Sequence, residues 1–327
     1  MMNLNKIIIT GGSGFLGTNL VEYYVKKGSA ILNLDIKPPL NRIHNQYWQQ
    51  IDLLDRAGLI KAVSDFKPQV LLHFAARTDL DEHDNLLGYR ANFDGVCNVI
   101  EAIRATQSIE RVIFASSQLV CRLGYVPKDE SDYNPTTLYG QSKVLGERIN
   151  RAANDINAIW TIIRPTSIWG PWFDVPYKNF FVTIAKNRYL HPSNIKTLKQ
   201  WGYVGNTVYQ IDKIIGAPME AVHKKMFYLA DYQPMELHVF ANQVQKAIDS
   251  KPIRTIPNEF LKIIASIGDI FQKLGWENPP LTSFRYANIT TPEVQDLEPL
   301  HKVVGPLPFT TSQGIDITVQ WLNETKN

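Results

Sequence analysis

The stretch TGGSGFLG at residues 10–17 decides how the rest of the chain is read. It follows the short apolar run KIIIT (6–10) and leads into a periodic segment that starts at Phe15. Gly11, Gly14 and Gly17 form a Gly-x-x-Gly-x-x-Gly spacing. Such spacing lets a chain turn tightly out of a strand, bring its backbone up to a pyrophosphate, and pack the next helix closely on the sheet. The unpaired N–H groups at that helix start then face the anion with a partial positive charge. Phe15 and Leu16, in the first helical turn, are counted with the three glycines as dinucleotide-binding. Asp35 closes the next apolar run, AILNLD (30–35). A carboxylate there accepts hydrogen bonds from the adenosine ribose hydroxyls and repels a 2′-phosphate, so NAD is expected. Lys37, two residues on, keeps NADP open. Asp52, in QIDLLD, is a further candidate for the adenine amino group, with Leu53 beside it.

Outward from this turn, VLLHF (70–74), RVIFAS (111–116) and WTIIR (160–164) continue the series of β-branched runs. They read as parallel strands buried on both faces. Helical segments are expected near 15–27, 55–65, 85–106 and 137–154, which gives repeated βα units and, with right-handed crossovers, an α/β doubly wound parallel sheet. Residues 1–165 form the Rossmann domain on this reading. Residues 166–327 are mainly a smaller C-terminal substrate-binding lobe, rich in Pro and aromatic residues, with some segments returning to the Rossmann sheet. KMFYLAD (225–231) reads as an isolated strand, and a last helix near 311–323 turns Ile315, Val319 and Leu322 to the core.

Composition narrows the class of function. The chain has 327 residues, 44% of them hydrophobic, and a formal charge of +3 from 34 basic and 31 acidic side chains. That balance, without a dense basic run, argues against a nucleic-acid partner. Cys97 and Cys121, assigned to a buried helix and a strand end, lack metal-ligand spacing and suit a reducing cytoplasm, so neither a metal nor a disulfide is expected. The N-terminus has no signal-peptide core. FLKIIASIGDIF (260–271), interrupted by Lys262 and Asp269, falls short of a membrane span and reads as an amphipathic helix packed on the domain.

LYGQSK (138–143) sets Tyr139 and Lys143 four residues apart, on one face of a helix. With TGGSGFLG, HFAA (73–76), SSQLV (116–120), YGQSK (139–143) and RPTSIWGPW (164–172) in this order, the chain resembles the extended short-chain dehydrogenase/reductases, and among them the nucleotide-sugar epimerases and dehydratases. The resemblance implies a catalytic set of Ser117, Tyr139 and Lys143. Tyr139 is then the acid/base for hydride transfer between a sugar carbon and the nicotinamide, and Lys143 sits beside both the phenol and the nicotinamide ribose. Moving a phenol about three pKa units, to neutrality, takes roughly 4 kcal/mol, expected from the ammonium and the oxidised coenzyme. Ser117 is expected to bond the reacting hydroxyl, Ala75 to leave room for the cofactor, and Asn92 to support the architecture. His73 is expected in the core.

The resemblance also implies a nucleotide-diphosphate sugar as substrate, Lys199 and Arg285 as cations for its pyrophosphate, and a homodimer through the segments 85–106 and 137–154. An epimerase is the first reading, a keto-sugar reductase or dehydrogenase the second, and an NAD(P)-sensing regulator without turnover a third. Gln118 and Leu119 stand where dehydratases of this group have Asp-Glu, so dehydration is not expected. Cys121, Ser167 and Gly205-Asn206 also depart from common patterns and leave the sugar open. Trp169, Trp172 and Tyr177 are candidates for the sugar or base pocket, with simple packing as the alternative. Arg164 is assigned to the turn from strand to lobe.

Overall fold

The computed structural model describes residues 5–80, 82–174, 177–276, 279 and 281–325. Strands β1 (Lys6–Thr10), β2 (Ala30–Asp35), β3 (Trp48–Gln50), β4 (Val70–His73), β5 (Arg111–Ala115) and β6 (Ile159–Pro165) alternate with helices α1 (Phe15–Lys26), α2 (Arg56–Phe66), α3 (Asp94–Arg104) and α4 (Leu138–Ala152). The lobe contributes strands β7 (Ser167–Trp169), β8 (Leu190–Pro192), β9 (Leu198–Lys199), β10 (Trp201–Tyr203), β11 (Met226–Leu229), β12 (Met235–Glu236) and β13 (Arg254–Ile256). Its helices are α5 (Tyr177–Ala185), α6 (Val204–Gly216), α7 (Met219–Val222), α8 (Leu237–Ile248), α9 (Asn258–Lys273), α10 (Ser283–Thr290), α11 (Glu298–Val304) and α12 (Thr311–Glu324).

The central sheet has seven parallel strands in the order β11-β6-β5-β4-β1-β2-β3. The β-branched runs form these strands because both faces are covered. Along β1, Ile7 and Ile9 join the core under α1 and α6, and Ile8 joins the opposite core with α2 and α3. Strand order reverses between β1 and β4, and ligands of such sheets bind in the crevice beyond the carboxyl ends at that point. No helix among the described residues is long and apolar enough to cross a membrane.

Three expectations are corrected. KMFYLAD is not an isolated strand, because β11 pairs with β6 and completes the central sheet. The expected helix 85–106 is broken: Leu86–Asn92 is a 3-10 turn, Phe93 leaves helical geometry at φ −133°, and α3 starts at Asp94. The break adjoins Asn92, whose side chain is tied to the Arg77 backbone and to Ser142. Cys97 is exposed on α3 rather than buried, while Cys121 is buried, and both are free thiols. The segment 260–271 is, as expected, an amphipathic helix packed on the domain, through a narrow seam of Leu261, Ala265 and Gly268. In α12, Ile315, Val319 and Leu322 are buried as expected.

Candidate active site

Gly11 leaves β1 at φ +74°, and a Cβ there would lie 2.5 Å from the Ala75 nitrogen beyond β4. A Cβ on Gly17 would overlap the Gly11 carbonyl oxygen. These two glycines close the turn against the sheet. Gly14 differs, since a Cβ there meets only the Gly11 oxygen, at 3.4 Å. It serves as N-cap of α1 without any side-chain cap, and the first helical bond runs from the Thr18 N–H to the Gly14 oxygen at 2.8 Å. The N–H groups of Phe15, Leu16 and Gly17 therefore have no intrahelical acceptor. Asp35 stands at the mouth of this cradle, its carboxylate accepting from Ser13 N–H at 3.1 Å and Lys37 N–H at 3.0 Å. Open space at Gly14, free amides and a positioned carboxylate together suit a dinucleotide. Gly12 was not among the expected residues, yet a Cβ there would overlap the side-chain oxygen of the buried Asn33.

Asp52 is exposed, and Oδ1 accepts from Leu54 N–H at 2.9 Å. Leu53 is buried against α3, and Asn98 donates to its carbonyl at 2.8 Å. Ala75 donates its N–H to Thr10 Oγ1 at 3.3 Å. His73 is a core residue as expected: its Nδ1 lies 2.8 Å from Thr10 Oγ1, and burial, helped by Lys143, lowers its pKa to about 3, so the ring is neutral.

The cradle yields a prediction that separates folding from binding. Gly14→Ala is expected to leave unfolding stability within about 1 kcal/mol, because the new methyl finds space. Dinucleotide affinity is expected to fall at least about tenfold, as the methyl occupies the approach to the phosphates. Thermal unfolding and a titration with NAD check both halves, and undiminished affinity would contradict the assignment.

Ser117, Tyr139 and Lys143 come together beyond the carboxyl ends of β5 and β4. Ser117 follows β5 and caps the short 3-10 turn Gln118–Val120, its Oγ accepting from Leu119 N–H at 3.1 Å. Thr137 caps α4 by accepting from Gly140 N–H at 3.0 Å, which sets Tyr139 in the first turn. Gly140 explains the close approach of the two elements, since a Cβ there would overlap the Leu119 carbonyl oxygen. The Tyr139 phenol is buried, with the Ser117 hydroxyl near enough to oppose in part the effect of burial on it. Lys143, one turn on, donates to the Ala115 carbonyl at 2.9 Å.

In the chain by itself, burial pushes the Tyr139 phenol up to about 12, against a smaller opposing effect of the Ser117 hydroxyl, and the acidification expected from the oxidised coenzyme is not part of that balance. Burial also lowers Lys143 to about 8, with Glu147 opposing it. The chain alone holds Tyr139 as a protonated phenol, with Lys143 still charged at neutral pH. Asn92 acts as a latch beneath this site. It accepts from Arg77 N–H at 2.8 Å and donates to Arg77 O and Ser142 Oγ, both at 2.9 Å, while Ser142 Oγ donates to the Tyr139 carbonyl at 2.6 Å.

Across from Tyr139, Tyr177 donates to Ser167 Oγ at 3.1 Å and Gln118 Nε2 donates to the same oxygen at 3.5 Å. Gln118 Oε1 is buried without a hydrogen-bond partner among the described residues. Lys199 is buried and paired with Glu293 at 3.3 Å, so the expected open cation is neutralised by a carboxylate that the sequence reading missed. Arg285 lies on α10 and donates to the Pro279 carbonyl at 2.6 Å. Trp169 is a core residue, 3% exposed and packed on Phe181, Tyr203 and Phe240, which removes it from the pocket. Trp172 packs on Trp321 at 5.8 Å. Asn206 holds Asp231 and the Phe309 backbone. Arg164 anchors α4 rather than the lobe turn, through two 2.8 Å bonds to the buried Glu147. Ser116 and Tyr133 donate to the same carboxylate, at 2.5 and 3.0 Å.

Fold and site together define an extended short-chain dehydrogenase/reductase. Residues 7–230 match the model of the NAD dependent epimerase/dehydratase family, and the chain belongs to that family. It is an NAD-dependent enzyme. Over 335 residues it is 27% identical to N-acetyl-alpha-D-glucosaminyl-diphospho-ditrans,octacis-undecaprenol 4-epimerase of Escherichia coli, covering 98% of this chain and 96% of that protein. It is 25% identical to 2-alkyl-3-oxoalkanoate reductase of Stenotrophomonas maltophilia, covering 93% and 94%. Among solved structures, UDP-glucose 4-epimerase of Thermus thermophilus in complex with NAD shares the fold at a TM-score of 0.72 and 19% identity, covering 97% and 98%.

Proposed function

We propose that this enzyme epimerises a sugar held through a diphosphate, with Tyr139 as the acid/base. The observation that carries the reading is the meeting of Ser117, Tyr139 and Lys143 at the carboxyl end of the sheet, beside the glycine cradle. Such a group has a function only through its geometry, and here a proton donor, an orienting hydroxyl and a cation occupy one buried corner. Bound NAD supplies the acceptor and donor of hydride. The Tyr139 phenol exchanges a proton with the reacting sugar oxygen, Ser117 orients that oxygen, and the Lys143 ammonium favours the ionised phenol. Gln118 Oε1, lacking a partner, is placed to accept from a sugar hydroxyl. Binding the diphosphate calls for Glu293 to release Lys199, with Arg285 offering a fork suited to phosphate. The Escherichia coli relative, named for a sugar joined by diphosphate to undecaprenol, supports a diphosphate link without requiring a nucleotide.

An epimerase ends each cycle with its coenzyme in the starting state, so NAD is expected to remain with the purified protein in near-equal amount. Denaturing the protein and assaying the released dinucleotide checks this. An empty protein that consumes added NADH with a keto-sugar would replace the epimerase by a reductase.

A further inference from the structure

Helix α9 meets the rest of the protein through small residues. Ala265 and Gly268 line its buried seam with Leu261, and at Gly268 a Cβ would overlap the Leu281 carbonyl oxygen ahead of α10. Asp269 ties the same two helices together by accepting from Ser283 N–H at 2.9 Å and from the Ser283 hydroxyl. On another face, Phe260, Ile263, Ile267, Ile270 and Leu274 recur every three or four residues and are each between 46% and 76% exposed. Trp276, half exposed, ends the stripe. Isolated apolar side chains are ordinary on a surface, but a continuous stripe along a helix about 24 Å long marks an interaction face.

We propose that α9 is an interfacial anchor whose apolar stripe sinks into a phospholipid bilayer, setting the substrate lobe at headgroup level. Three observations select a bilayer. The stripe combines aliphatic side chains with Phe and a terminal Trp, as in helices that lie in the membrane interface. Lys262 and Lys273 are exposed on the same helix, and Lys251 and Arg254 are exposed just before it. On α9 itself, with Asp269 engaged by Ser283, the two lysines outnumber the one remaining carboxylate, Glu259, and match anionic headgroups. At 16 residues, α9 is too short to span but long enough to lie flat. The helix is also tied to the candidate substrate cations: α10, joined to it at Gly268 and Asp269, carries Arg285, and the chain beyond reaches Glu293, the partner of Lys199. A substrate carried by a lipid would then meet the site from the bilayer itself.

The inference goes beyond the proposed reaction and is tested apart from it. Purified full-length protein is sedimented with vesicles of phosphatidylethanolamine and phosphatidylglycerol, alongside the triple variant Ile263→Gln, Ile267→Gln, Ile270→Gln. All three positions are exposed, so unfolding temperature and bound NAD are expected to stay unchanged. Wild-type protein is expected to pellet with the vesicles, and the variant to lose at least tenfold in partitioning. The pair Lys262→Glu and Lys273→Glu is expected to weaken binding to these vesicles but not to phosphatidylcholine. Wild-type protein left in the supernatant, or equal binding by the triple variant, would overturn the proposal. So would a wild-type dimer that the triple variant splits without lipid, which would name a second copy as the occupant.

Discussion

Replacing Tyr139 with phenylalanine is expected to lower turnover by about 10²- to 10⁴-fold, the usual contribution of a positioned proton donor. The substitution removes one hydroxyl, which neighbours Ser117, and leaves the ring against Tyr89 at a centroid distance of 6.1 Å. Folding stability should therefore change by only about 1 kcal/mol, and NAD should still bind. The measurement is single-turnover formation of reduced nicotinamide, with NAD content and thermal unfolding as controls. Full turnover by the variant would remove Tyr139 from the proton relay. The raised phenol sharpens the expectation. From about 12 to neutrality is some five units, or roughly 7 kcal/mol of differential stabilisation, more than an unperturbed phenol would need. In the resting protein Tyr139 is therefore held in its protonated form and is a weaker acid than a free phenol.

Glu147→Gln should have the largest effect on stability, a loss of about 3–5 kcal/mol, because it leaves the fully buried Arg164 guanidinium without its charge partner. One carboxylate oxygen accepts from Arg164 Nε and Ser116, the other from Arg164 Nη2 and Tyr133, so an amide nitrogen in either place faces donors. The urea midpoint should fall with little change in slope. Replacing both partners, as Glu147→Leu with Arg164→Met, should recover much of the loss, since two well-packed apolar residues leave no orphaned charge. A single variant as stable as the parent would show that this pair does not hold α4 to β6.

The parts of the site made by local chemistry were legible in the sequence. Glycine spacing after an apolar run, a carboxylate at the next strand end, and a Tyr-x-x-x-Lys pair each act within one element, and all three occupy the places their spacing implies. What was not legible depends on partners distant in the chain. Lys199 looks like a free cation until Glu293, 94 residues on, is placed beside it. Arg164 looks like a turn residue until α4 brings Glu147 across the end of β6. The run 85–106 keeps a helical pattern, but the chain leaves helical geometry at Phe93, next to Asn92, whose side chain is tied to the Arg77 backbone and Ser142. Trp169, in a loop-like Pro-rich stretch, is drawn into the core by Phe181 and Phe240. The burial that raises the phenol is likewise a property of the assembled site.

The return of β11 to the sheet has a consequence for biosynthesis. When the ribosome has delivered everything up to Pro165, β6 still lacks the neighbour that fills its outer row of amide and carbonyl groups, and that neighbour begins only at Met226. The first half of the nascent polypeptide thus emerges with an open strand edge, the kind of surface on which misassembly and chaperone capture occur. A cut at residue 165 is therefore expected to leave β6 as a bare edge rather than to release a closed coenzyme-binding module.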